Sequence, residues 1–123
     1  MNKVKMIIWN REFDLPISYS CYPGEQVTKI QKDAVIDFCG KKRPVDCALE
    51  EVESYVLKTT EEDIKDKLDN IFRFVIPKSL YIPRSEEAIV AVLCNYKFDM
   101  EHGITIVFKN GEFQKIGTQD IIL

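Results

Sequence analysis

The sequence predicts an α+β fold: an antiparallel sheet of about five to six strands, with two or three helices packed on one face. Three observations carry this reading. Two strand-length runs, Lys3 to Trp9 and Glu12 to Tyr19, meet at Asn10-Arg11. From Glu25 the apolar residues recur at three- and four-residue steps instead. After Phe72 strand-like runs return and close on Asn110-Gly111, the strongest short hairpin signal there is, because a type I′ turn needs positive φ at both positions.

Each element has its own signal. Phe13, Leu15, Ile17 and Tyr19 alternate, and Pro16 among them predicts an edge position or a bulge. Val27, Ile30, Ala34 and Phe38, widened by Val35, predict a first helix from Glu25 that stops at Gly40. Pro44 suits a first helical turn, and Val45, Ala48, Leu49, Val52, Tyr55 and Val56 form the cleanest amphipathic stripe. Thr60 can cap a short third helix whose acids, Glu61, Glu62 and Asp63, suit the positive end of the dipole and whose buried side would be Ile64 and Leu68.

Phe72, Phe74 and Ile76 predict a strand that Pro77 closes or places on an edge. Ala88 to Cys94 is apolar on both faces and should be the most buried, central strand. A two-residue turn at Asn110-Gly111 sets Lys109 opposite Glu112 and Phe108 opposite Phe113. Ile104, Ile106, Phe108 and Phe113 then share a face.

A chain of 123 residues with 46% hydrophobic content is one domain, residues 1–123, large enough to fold without a metal or a disulfide. The apolar run Met6 to Trp9 is too short for a signal peptide or a membrane span, so a cytoplasmic protein with no membrane partner is expected. Cys21, Cys39, Cys47 and Cys94 include no C-x-x-C pair and read as free, buried or half-buried thiols, with no metal and no cofactor. No phosphate-binding loop, dinucleotide fingerprint or H-E-x-x-H motif is present.

The net charge of −3 is unevenly spread. Residues 46–69 carry nine acids against three lysines, which argues against nucleic acid and for a basic protein partner. The candidate binding surface is therefore Glu50, Glu51, Glu53, Glu61, Glu62 and Asp63. The basic triplet Lys41-Lys42-Arg43 reads as a solvated loop.

The one histidine, His102, lies in a second candidate region with Asp99, Glu101 and Asp120. In an extended loop Glu101 and His102 diverge, no second histidine completes a metal site, and no serine or cysteine sits in a nucleophile context. His102 is thus expected to be structural, with Gly103 serving backbone geometry, and the protein is expected not to be an enzyme. The last hairpin's pairing should bring His102 close to Gln119-Asp120, where the Asp120 carboxylate would raise its pKa.

Residues 96–123, YKFDMEHGITIVFKNGEFQKIGTQDIIL, carry an E-H-G-[ILV] strand entry at Glu101-His102-Gly103-Ile104 and a closing I-G-x-Q-D at Ile116 to Asp120. This resembles the C-terminal signature of a group of small, uncharacterised bacterial domains of unknown function. The resemblance transfers no catalytic residue. Some small α+β proteins of this general kind act as immunity proteins that neutralise partner toxins. The function expected is a non-enzymatic protein-binding module, immunity-type, working through the acidic helical surface. The alternatives are an assembly module, a homo-dimer joined by an edge strand or by Ile121-Ile122-Leu123, and a small enzyme with a site around His102.

Overall fold

Trp9 and Asn10 take φ of 50° and 69°, the positive pair that a type I′ turn requires, and β1 (Lys3–Ile8) folds straight back as β2 (Arg11–Tyr19). The computed structural model describes residues 3–40, 43–60 and 70–122. After β2 come α1 (Lys29–Cys39), α2 (Arg43–Thr59) and a 3₁₀ turn at Ile71–Arg73. Four strands follow, β3 (Val75–Ile82), β4 (Ile89–Tyr96), β5 (Ile104–Lys109) and β6 (Glu112–Gly117), and a last 3₁₀ turn spans Gln119–Ile121. The six strands form one sheet in chain order.

The sheet is not wholly antiparallel. β2 and β3 run parallel, with Ile17 opposite Leu80, Ser18 opposite Tyr81 and Tyr19 opposite Ile82. The physical reason lies in the connection: the chain crosses back through its helices before re-entering the sheet, and a parallel neighbour needs such a crossover. Pro16 sits in the part of β2 that has β1 alone beside it, since pairing with β3 starts at Ile17.

Pro77 does not close the strand, because β3 runs on to Ile82, but it does sit where β3 has β4 alone beside it, since pairing with β2 starts at Leu80. The register with β4 shifts there, between Pro77 and Ser79. The bulge tolerates a residue with no N–H to donate. Phe72, expected at the start of that strand, belongs instead to the 3₁₀ turn, whose first free amide, Phe72 N–H, donates to the Asn70 side chain at 3.2 Å.

The central strands supply the core. Val90, Val92, Cys94 and Tyr96 alternate along one face of β4, and Phe108, Ile106 and Ile104 of β5 stand opposite the first three. The Phe38 ring of α1 lies 4.9 Å from that of Phe108, and the Tyr55 ring of α2 lies 6.2 Å from that of Tyr96. Val45, Ala48, Val52 and Val56 of α2 are all buried, each valine contributing about 1.5–3 kcal/mol. The Trp9 indole N–H donates to Val45 C=O at 3.0 Å, tying the first hairpin turn to the start of α2. Among the described residues no helix is long and apolar enough to cross a membrane.

The first helix starts four residues later than periodicity alone suggests. Thr28 is its N-cap: its hydroxyl accepts from Gln31 N–H at 3.2 Å, and the Gln31 side-chain Oε1 accepts from Thr28 N–H at 3.0 Å. This rotates the helix so that Ile30, expected in the core, is 40% exposed while Gln31 is 1% exposed. The Gln31 amide then donates to Ser20 C=O at 2.7 Å and Ile82 C=O at 3.1 Å, at the ends of β2 and β3. Cys47, expected to be at least half-buried, is exposed on α2, because it lies off the stripe that Val45, Ala48 and Val52 form. The third helix, capped by Thr60, falls outside the described residues.

Gln31→Ala should destabilise the fold by about 3 kcal/mol, since it removes buried hydrogen bonds and leaves a void. Urea unfolding followed by circular dichroism measures this; a loss below about 1 kcal/mol would show that the amide is dispensable.

Candidate functional site: the acidic helix face and the His102 turn

Two regions collect the polar residues singled out above. On α2, Asp46, Glu50, Glu53 and Leu57 are spaced by four, three and four residues, which places them on one line along the helix. Asp46, Glu50 and Leu57 are exposed and Glu53 is half-buried. Glu51 is also exposed, about 100° around the helix from Glu50. None of these carboxylates forms an ion pair among the described residues. Glu61, Glu62 and Asp63 lie outside the described residues.

A cleft of about 550 Å³ opens beside this stripe, between α2, the first hairpin turn and the 3₁₀ turn before β3. Asp46 and Glu53 line it together with Trp9, Leu49 and Phe72. The Trp9 and Phe72 rings are 5.8 Å apart, and the Arg11 guanidinium stands 5.3 Å from the Phe72 ring centroid and 5.6 Å from that of Phe13. The aromatic wall therefore already holds one cation against its face. Trp9 and Phe72 carry no signal of this in the sequence. They meet Asp46 only because the hairpin turn docks on α2 through the indole bond to Val45.

The second region is the connection from β4 to β5, which is a tight turn rather than an extended loop. Asp99 N–H donates to Tyr96 C=O at 3.1 Å, and Gly103 N–H donates to Asp99 C=O at 2.8 Å. This curls Asp99 under His102. The His102 backbone N–H donates to Asp99 Oδ1 at 3.2 Å, and His102 Nδ1 lies 3.1 Å from both carboxylate oxygens. The carboxylate requires the proton on Nδ1 and leaves Nε2 facing away from this bond. Gly103 makes the turn possible: its φ is +64°, and a Cβ there would lie 2.4 Å from Cys94 O.

The expected meeting of His102 with the tail takes place through the backbone. Gln119 N–H donates to His102 C=O at 3.3 Å. Asp120 is not the histidine's direct partner, because it accepts from the Thr118 hydroxyl at 3.3 Å. The His102 pKa is raised above the ordinary histidine value, first by the hydrogen bond to Asp99 and then by that carboxylate's charge, with smaller attractions from Glu101 and Asp120. Glu101 is exposed and lines the same cleft as His102. In the tail, a Cβ at Gly117 would stand 3.0 Å from the Ile121 side chain, so Ile121 packs closely on β6.

A cleft of about 300 Å³ adjoins this turn on the sheet face opposite Val92 and Ile106. Ser79, Leu93, Thr105 and Gly117 form a row across β3 to β6 on that face. Thr105, which lines the cleft, is 1% exposed and its hydroxyl has no hydrogen-bond partner. Alternation in Ile-Thr-Ile puts Thr105 on the correct face, but nothing in the sequence shows that it is buried there.

Chemically, the Asp99–His102 pair orients an imidazole. Burial pushes the Cys39 thiol up to about 11 and raises Cys94 as well, so neither is a thiolate near neutral pH. Among the described residues no group of three His, Cys, Asp or Glu side chains is placed to hold a metal ion. No curated protein and no solved structure matches the chain. The family described as Domain of unknown function (DUF6985) matches residues 4–123, and the chain belongs to it.

Two outcomes test the turn. Gly103→Ala should cost about 3 kcal/mol or more in thermal unfolding, because the left-handed backbone and the Cys94 carbonyl both oppose a Cβ. In an NMR titration the His102 ring should release its proton above the ordinary value near 6.5, and Asp99→Asn should lower that midpoint. The sign follows from the raised pKa: the pair's stabilisation is complete at acid pH and is lost as pH rises through the folded-state value. A midpoint unmoved by Asp99→Asn would dissolve the pair.

Proposed function

We propose that this domain is a non-enzymatic protein-binding module whose acidic α2 face receives a basic segment of a partner protein. The carrying observation is the line Asp46, Glu50, Glu53 and Leu57, which ends beside the cleft walled by Trp9 and Phe72. Within this reading the helices are collected on one face of the sheet, as Phe38 against Phe108 and Tyr55 against Tyr96 support.

Each part of the face has a distinct contribution. Exposed ion pairs are worth only about 0–1 kcal/mol each, so the carboxylates chiefly steer encounter and select a basic partner. Affinity has to come from covered apolar surface, which Leu57 at 41% exposure and the half-buried Leu49 and Phe72 offer. A lysine or arginine of the partner entering the cleft would meet Asp46 and Glu53 with aromatic rings beside them. Masking a basic surface in this way is the chemistry of an immunity-type protein. Glu61, Glu62 and Asp63 would extend the same negative field along the chain.

Immobilised native chain should retain a basic protein from a lysate of the source cells at about 0.15 M ionic strength and release it near 1 M. Glu50→Lys, Glu51→Lys and Glu53→Lys together should abolish retention while leaving the circular dichroism spectrum unchanged. Equal capture by the native and triple-variant chains would remove α2 as the binding face.

A further inference from the structure

The face of the sheet turned away from Val92 and Ile106 carries chemistry opposite to that of α2. Two clefts, of about 300 and 320 Å³, meet there at Asn95 and Met100. Their apolar lining includes Ile76, Leu93 and Met100, of which Ile76 is 38% and Met100 66% exposed. Such exposed apolar residues on an otherwise polar surface mark contact sites, and methionine adapts its shape to what covers it.

The rim is cationic. Arg73 and Lys97 line one cleft, and Lys78 and His102 line the other. Arg73, Lys78 and Lys97 form no ion pair among the described residues. Lys97 Nζ stands 5.8 Å from the Phe74 and Phe98 ring centroids, which holds it at the rim. Glu101 is the single carboxylate lining either cleft. At the inner end lies Thr105, whose buried hydroxyl lacks the partner that such groups normally have.

We propose that these joined clefts form a second docking groove, which takes an acidic peptide segment carrying apolar side chains. Charge complementarity selects the class: three unpaired cations favour carboxylates, while Ile76, Leu93 and Met100 favour leucine-like side chains between them. The groove is open and crosses β3 to β5, about 10 Å at two strand spacings, which suits a chain segment rather than an enclosed small molecule. The domain would then present two faces of opposite sign, an acidic helix for a basic segment and a basic groove for an acidic one.

The probe is a fluorescent peptide of alternating glutamate and leucine, its binding followed by anisotropy. It should bind the native chain saturably, and Lys78→Glu with Arg73→Glu should weaken it by at least about tenfold, as should Met100→Ser alone. Glu50→Lys on α2 should leave it unaffected, which separates this groove from the acidic face. An all-glutamate peptide should bind much more weakly, and equal binding of the two peptides would overturn the apolar part of the site. No binding by the native chain, or unchanged binding by folded groove variants, overturns the groove altogether. Sedimentation of the native chain alone supplies the remaining arm. Self-association abolished by Lys78→Glu with Arg73→Glu would mean that a second copy occupies the groove, and would overturn the peptide assignment.

Discussion

The short parallel seam between β2 and β3 is the constraint on which the rest of the architecture depends. The first hairpin can form from its own turn, and β3 to β6 form a meander of neighbouring antiparallel strands. Only the seam joins these two pieces into one sheet, and it closes a loop of some sixty residues. Its end is sealed by one side chain. Ser20 N–H donates to Ile82 C=O at 3.0 Å, and the Gln31 amide donates to the carbonyls of both residues. Burying a glutamine without partners would cost several kcal/mol, so Gln31 is tolerated at 1% exposure only because the capping box and both strand ends satisfy it.

That seam fixes the placement of both candidate regions. It orders the strands so that the Trp9 turn lies beside the start of α2, where the indole reaches Val45. The acidic stripe and the aromatic wall are neighbours for this reason alone. At the far side of the sheet, the Gly103 turn pins the His102 loop onto Cys94, and Gln119 binds it from the tail. The Asp99–His102 pair lies beside the basic groove, and protonation of the ring balances the charge of the Asp99 carboxylate it contacts.

Charge separation follows from the same layering. The net charge of −3 is unevenly spread already along the chain, with its acids concentrated in residues 46–69. In three dimensions α2 carries carboxylates with no ion pair among the described residues, while Arg73, Lys78 and Lys97 line the clefts on the sheet face turned away from Val92. Two such fields oriented apart favour directional encounter with partners of opposite sign.

Much of this was legible in the residues themselves. The Asn110-Gly111 hairpin, with Phe108 opposite Phe113 and Lys109 opposite Glu112, follows from turn chemistry. The α2 stripe and its acidic back follow from helical period, and β4 follows from an apolar run of strand length. Such signals are local, and local sterics decide them. The tertiary structure alone decided the parallel seam, the register shift beside Pro77, and the exchange of Ile30 for Gln31 in the core. It also decided that His102 takes Asp99 rather than Asp120, and that Thr105 is buried without a partner. Each of these depends on which distant backbone carbonyl or strand lies within hydrogen-bonding reach, and a one-dimensional period carries no information about that.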